Sequence, residues 1–113
     1  MTPENDYFAK TIKAAQTFFA RWNGATAELW ELRPYHRSLR VLVRRPNEEG
    51  NLLIACLEPF WVRGPISWFD CRLSVSTTTL PGGHELGFRV ADDTANVEII
   101  TGAIEIKENV KLQ

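Results

Sequence analysis

The sequence predicts an α+β domain: an N-terminal helix packed on a curved, half-barrel-like antiparallel meander of five or six strands. Three observations predict it. Apolar residues recur at spacings of three and four over the first 22 positions and nowhere else. After Gly24 the period falls to two. No second helical pattern separates the strands, so the crossovers of about a dozen residues that parallel pairing needs are missing.

The helix is expected over 3–22. Thr2 supplies a capping hydroxyl, Pro3 has no N–H to waste at the first helical position, and Glu4 sits near the positive end. Asn5 stands where a full capping box would carry Glu or Gln. Tyr7, Phe8, Ile12, Ala15, Phe19 and Trp22 form the apolar stripe. Asn23-Gly24 ends the helix, because both residues tolerate a left-handed backbone.

Strands are expected at about 25–32, 39–45, 52–57, 66–76, 85–90 and 96–106. In the first, Ala27 and Leu29 oppose Trp30 and Leu32. In the second, Leu39, Val41 and Val43 alternate with Arg40, Leu42 and Arg44, as in a half-buried strand. Leu52–Leu57 is a continuous apolar run and reads as a central strand. Pro46–Gly50, Thr77–Gly83 and Asp92–Thr94 read as turns. Gly102 marks a bend in the last strand, and 107–113 reads as a frayed tail.

A chain of 113 residues, 44% hydrophobic and 24% charged, is expected to fold as a single domain, 1–113. Its net charge of −1 gives no pull toward nucleic acid or anionic lipid. Residues 1–56 carry 8 Lys/Arg against 6 Asp/Glu, and residues 57–113 carry 5 against 8, which is a modest dipole. No apolar run has signal-peptide or membrane-spanning length, so the cytoplasm is the expected location.

Asn51–Ser76 is the richest source of apolar surface, with Trp61, Trp68, both cysteines and two prolines. Read as one tight hairpin turning at Arg63-Gly64, it sets Cys56 opposite Cys71. In a reducing compartment such a pair is two small buried hydrophobes rather than a redox switch. One helix is too little to cover both faces of the sheet, so an aromatic face around Trp30, Trp61 and Trp68 is expected to meet another protein or a second copy.

Residues 33–45 hold Arg33, Arg37, Arg40, Arg44 and Arg45 with Tyr35 and His36. An RNA-binding module would use such arginines on phosphates, while Glu28, Glu31, Glu48 and Glu49 are placed to neutralise them. The remaining titratable groups form no catalytic or metal motif. Two histidines, His36 and His84, fall short of a zinc set. Asp70, Cys71 and His84 are ingredients of a thiol site, but Asp70 and Cys71 would point to opposite faces of one strand. Pro81–His84 is glycine-rich yet lacks the lysine and helix of a phosphate loop.

The sequence therefore predicts a non-enzymatic, self-associating interaction module with no cofactor, no metal and no catalytic residue. Its expected partner-binding residues are Trp30, Arg37, Arg40, Trp61, Trp68 and His84. The alternative is a small-molecule-binding or enzymatic domain with a pocket between helix and sheet, gated by Arg37, Arg40 or His84. A weaker one is RNA binding through Arg33–Arg45.

Overall fold

One helix, α1 (Pro3–Arg21), precedes seven strands: β1 (Thr26–Arg33), β2 (Ser38–Arg44), β3 (Asn51–Arg63), β4 (Ser67–Trp68), β5 (Ser74–Thr79), β6 (Leu86–Asp92) and β7 (Val97–Val110). They come from a computed structural model that describes residues 3–33, 35, 37–46 and 49–111, with side chains from Asp6 onward. Thr2, Pro34, His36, Asn47 and Glu48 lie outside the described residues, as does the Asn5 side chain. The strands form one antiparallel sheet in the order β4-β1-β2-β3-β7-β6-β5, a curved half-barrel against which α1 packs. The strand count is seven rather than five or six. Among the described residues no helix is long and apolar enough to cross a membrane.

The 3.6-residue period explains the buried helix face. Phe8, Ala15, Phe19 and Trp22 are buried, with Ile12 and Phe18 partly so. They meet the inner face of the sheet, where Ala27, Leu39, Val41, Val43, Leu52, Ile54 and Cys56 alternate with outward residues. Tyr7, Phe8 and Phe88 stack at the N-terminal end of α1, with Phe8 and Phe88 centroids 4.9 Å apart. At the other end the Trp22 indole N–H donates to Glu108 at 2.8 Å. Glu108 also takes Arg21 at 2.5 Å, while Arg45 lies 4.0 Å over the Trp22 ring. These contacts fasten the end of α1 to the end of β7.

The expected hairpin is overturned. β3 does not stop at Leu57. It runs on past Pro59 to Arg63, with β7 as its neighbour over the added length. A bulge between Pro59 and Trp61, and a left-handed Glu58 (φ 58°), bend the strand there. A proline fits such an irregular, one-sided stretch of ladder. Cys56 pairs with Leu39 and Ile104, whereas Cys71 exchanges main-chain hydrogen bonds with Gly24 and Ala25. The chain reverses at Gly64, whose φ of 136° and close approach to Val97 (2.8 Å from a Cβ) leave no space for a side chain.

The expected strand 66–76 divides in two. Asp70 takes a φ of 51°, which interrupts the extended run between β4 and β5. Burial then follows tertiary contact rather than alternation. Trp68, Cys71 and Val75 go inside, and Phe69 is 83% exposed. The turn expected at 77–83 starts later, because β5 continues to Thr79. The tail expected at 107–113 is strand up to Val110.

A buried carboxylate closes the half-barrel. Asp92, 1% exposed, accepts the Trp68 indole N–H at 2.9 Å and the Arg72 N–H at 2.8 Å through one oxygen. Its other oxygen takes the Ala95 N–H at 3.3 Å. Three N–H donors replace the water that the anion loses. They tie the β3–β5 connection to the end of β6.

Candidate functional site

The sheet face turned away from α1 is where exposed apolar side chains collect. Opposed residues in an antiparallel pair share a face, so Trp61, Ile100, Arg89 and Ser76 lie on one outward row, crossing β3, β7, β6 and β5. Phe60, the extra residue of the bulge, projects beside them. Phe60, Trp61 and Val62 are 40, 52 and 41% exposed, three consecutive apolar side chains that the fold does not enclose, with Val62, opposite Ile99, on the other face of the strand. Phe60, Trp61, Thr78, Pro81, Glu98 and Ile100 border a shallow depression of about 400 Å³. A second, smaller one shares Phe60 and Pro81 and reaches His84.

Local structure explains why these groups meet. β2 begins at Ser38, opposite Leu57, and the Arg37 carbonyl accepts the Glu58 N–H at 2.8 Å. This places the Arg37 guanidinium 5.6 Å from the Phe60 ring centre, a cation–π contact. The β5–β6 turn is held by Leu80 N–H to Glu85 O at 2.8 Å and Gly83 N–H to Leu80 O at 3.0 Å. Leu80 packs at Gly87, where any side chain would also meet the Thr101 carbonyl at 2.6 Å. That packing brings Pro81 and His84 to Phe60.

Charge frames the surface with both signs. Arg89 donates to Glu98 at 2.6 Å and to Asp93 at 3.2 Å. The Arg89 hydrogen bond holds the Glu98 carboxyl below its ordinary range, and a hydrogen bond from Trp61 acts in the same direction. Arg63 bears on Glu98 only as a more distant charge.

Of the six residues read from the sequence, Arg37, Trp61 and His84 come together around Phe60. Trp30 is 46% exposed, but it sits in a bulge on β1, two strands from β3. Arg40 faces outward on β2. It lines a groove of about 270 Å³ with Arg33 and Lys107 over Leu53, Ala55 and Leu57, and shares Glu31 with Arg33. Trp68 is buried on Asp92 and does not belong to the outer surface. Sequence reasoning missed Phe60, Pro81, Glu98 and Ile100. The run Phe60-Trp61-Val62, too apolar for a turn, was the available signal.

The cysteines offer no thiolate. Burial pushes the Cys56 thiol up to about 12 and, aided by the Asp92 charge, Cys71 up to about 11. Cys71 Sγ lies 3.6 Å from the Trp22 carbonyl. Among the described residues no group of three or more His, Cys, Asp or Glu could hold a metal ion. The arginines of 33–45 have partners: Arg33 and Arg40 on Glu31, Arg44 on Glu28, and Arg45 on the Arg21 carbonyl and Trp22. Between α1 and β7 runs an apolar cleft of about 310 Å³, lined by Ala14, Ala15, Phe18, Ile104 and Ile106 with Lys10 at its side. Arg37, Arg40 and His84 do not line it. No protein-family model matches the chain, and neither the curated proteins nor the solved structures gave a match.

Proposed function

We propose that this chain is a non-enzymatic interaction module that self-associates through the apolar surface at the far end of β3. The observation that carries this reading is the run Phe60-Trp61-Val62, each side chain roughly half in water although it belongs to a strand. Contiguous exposed apolar surface mostly marks an interaction site, and aromatic residues concentrate at interface centres. Ile66 and Phe69, which follow the Gly64 turn in the chain, are two more apolar side chains left in water, 77 and 83% exposed. A rim with Arg37 and Arg63 on one side of the charge balance and Glu58 and Glu98 on the other suits a surface that meets its own copy. Two free, buried thiols go with a reducing, cytoplasmic setting.

Light scattering over a dilution series tests the reading. The chain is expected to shift from dimer to monomer on dilution, and Trp61→Glu is expected to remain monomeric at every concentration. A wild-type chain that stays monomeric at high micromolar concentration sinks it. The cleft between α1 and β7 favours a second reading, capture of a small apolar molecule, because its volume is at the lower end of the ~300–1,000 Å³ typical of ligand sites. Octanoate titrated into the protein, with Ala14→Trp filling the cleft, tests that reading by the shift of Ile104 and Ile106 methyl resonances. Nucleic acid suits this chain poorly, since Glu28 and Glu31 offset the arginine strip.

A further inference from the structure

Strand edges lie open at several places among the described residues, and they are not alike. β5 has β6 on one side and no strand on the other, but its edge is Ser and Thr around a single buried Val75. β1 beyond Leu29 carries a bulge and the Glu31–Arg33 ion pair. β7 beyond Thr101 bears Glu105, Lys107 and Glu108, the last tied to α1. Charge, bulges and short length are the usual ways a sheet discourages pairing with another chain. β3 from Pro59 to Arg63 differs. β7 flanks it on one side, β2 does not reach it, and among the described residues the last main-chain bond on the open side is Glu58 N–H to Arg37 O. The three residues in the middle of this edge are the half-exposed Phe60, Trp61 and Val62.

We infer that the partner at this edge is a second copy of the chain, added antiparallel along β3 so that the two sheets continue into each other. The inference rests on the self-association reading and specifies its geometry. The open segment is centred on Trp61. A two-fold axis there pairs the longest stretch: Trp61 with Trp61, Phe60 with Val62, and Pro59 with Arg63. The segment is its own complement. It has an acid, Glu58, at one end, a base, Arg63, at the other, and apolar residues between. Among the described residues Glu58 forms no ion pair within the chain, and Arg63, opposite Glu98 on β7, acts on it through charge alone. In this register Arg63 of each copy lies opposite Pro59 and one residue along from Glu58 of the other, so each end of the pairing brings a base of one copy near an acid of the other while the apolar middle leaves water.

Mixed cross-linking tests the register. Directly opposed residues on antiparallel strands have Cα atoms about 4.5–5.5 Å apart, within disulfide range. Pro59→Cys mixed with Arg63→Cys under mild oxidation is expected to give a linked dimer at several times the yield of either variant alone. Cys56 and Cys71 are buried and serve as the unlinked background in the wild type. Amide exchange on the unmodified chain gives an independent readout. Between ~5 and ~500 µM the amides of 60–63 that point away from β7 are expected to slow by tenfold or more, because an added strand protects a free edge. Association by scattering with no mixed cross-link and unchanged exchange overturns the edge pairing and leaves a face-to-face dimer standing. A monomer throughout overturns both.

Discussion

Trp61 and Trp68 stand seven residues apart in the same apolar stretch, and the fold treats them in opposite ways. Trp68 is 7% exposed and its indole N–H is spent on Asp92, whereas Trp61 is 52% exposed on an outer face. The neighbourhoods explain the difference. Around Trp68, β1, the α1–β1 turn and the end of β6 converge, and Asp92 gathers three N–H donors. Around Trp61, β3 has outrun β2, and among the described residues β7 is the one strand paired with it. Apolarity sets the demand for cover, but the topology decides which residues receive it.

The largest expected effect lies on the covered side. Asp92→Ala leaves three N–H groups in a buried site with no acceptor, at roughly 1–3 kcal/mol per lost partner, so about 4 kcal/mol of stability should go. Urea unfolding followed by tryptophan fluorescence measures it. A loss below about 1 kcal/mol, within the range of ordinary surface substitutions, would mean that the Trp68 region is not closed as described.

Gly87→Ala should cost about 2 kcal/mol, in the range for overpacking, since the new methyl group meets Leu80 and the Thr101 carbonyl. It also sharpens the comparison. Gly87 lies where the closed core gives way to the surface at Phe60, because Leu80 seats there and carries Pro81 and His84 with it. Chemical shifts of His84 should move in this variant while those of Cys71 do not. Movement at Cys71 and none at His84 would reverse the assignment of the two regions.

How much of this was legible in the sequence differs by element. The spacing of Phe8, Ile12, Ala15, Phe19 and Trp22 identifies a helix and its buried face, because a helix face is defined by residues near in sequence. The sheet class follows from the period of two and the missing crossovers. Register does not, since it depends on partners far along the chain. The expected strand stops at Leu57, whereas a bulge and a left-handed Glu58 carry β3 past Pro59. Asp70 breaks a run whose alternation looked continuous, and this sends Trp68 inward. The site was legible in part for the same reason. Trp61, Arg37 and His84 are noticeable as residue types, but Phe60 becomes their meeting point only through the Arg37–Glu58 bond and the Leu80–Gly87 packing.

A third prediction concerns acid. Glu108 has its carboxyl lowered from the ordinary 4.5, first by the Arg21 hydrogen bond and then by that of Trp22. A carboxyl depressed in the folded state adds stability that is present above its unfolded value and is lost as pH falls through the folded one. Glu108→Gln should therefore lower stability near neutrality, and the gap to wild type should close as pH falls below 4.5, where the variant's profile is the flatter one. A profile parallel to wild type across that limb would remove Glu108 as the clasp between α1 and β7.

The smallest effect on stability, and the most informative for the comparison, is expected at Trp61. Trp61→Glu removes an aromatic side chain that is already half in water, so monomer stability should change by no more than about 0.5 kcal/mol, as surface substitutions do. The same substitution at Trp68 would bury a charge. If urea midpoints show Trp61→Glu as damaging as Asp92→Ala, Trp61 is core after all and its exposure carries no functional meaning. If stability holds while the oligomer dissolves, the aromatic ring is retained for a contact outside the chain. The separation of those two readouts, stability and assembly, is what distinguishes an interface residue from a loosely covered core residue.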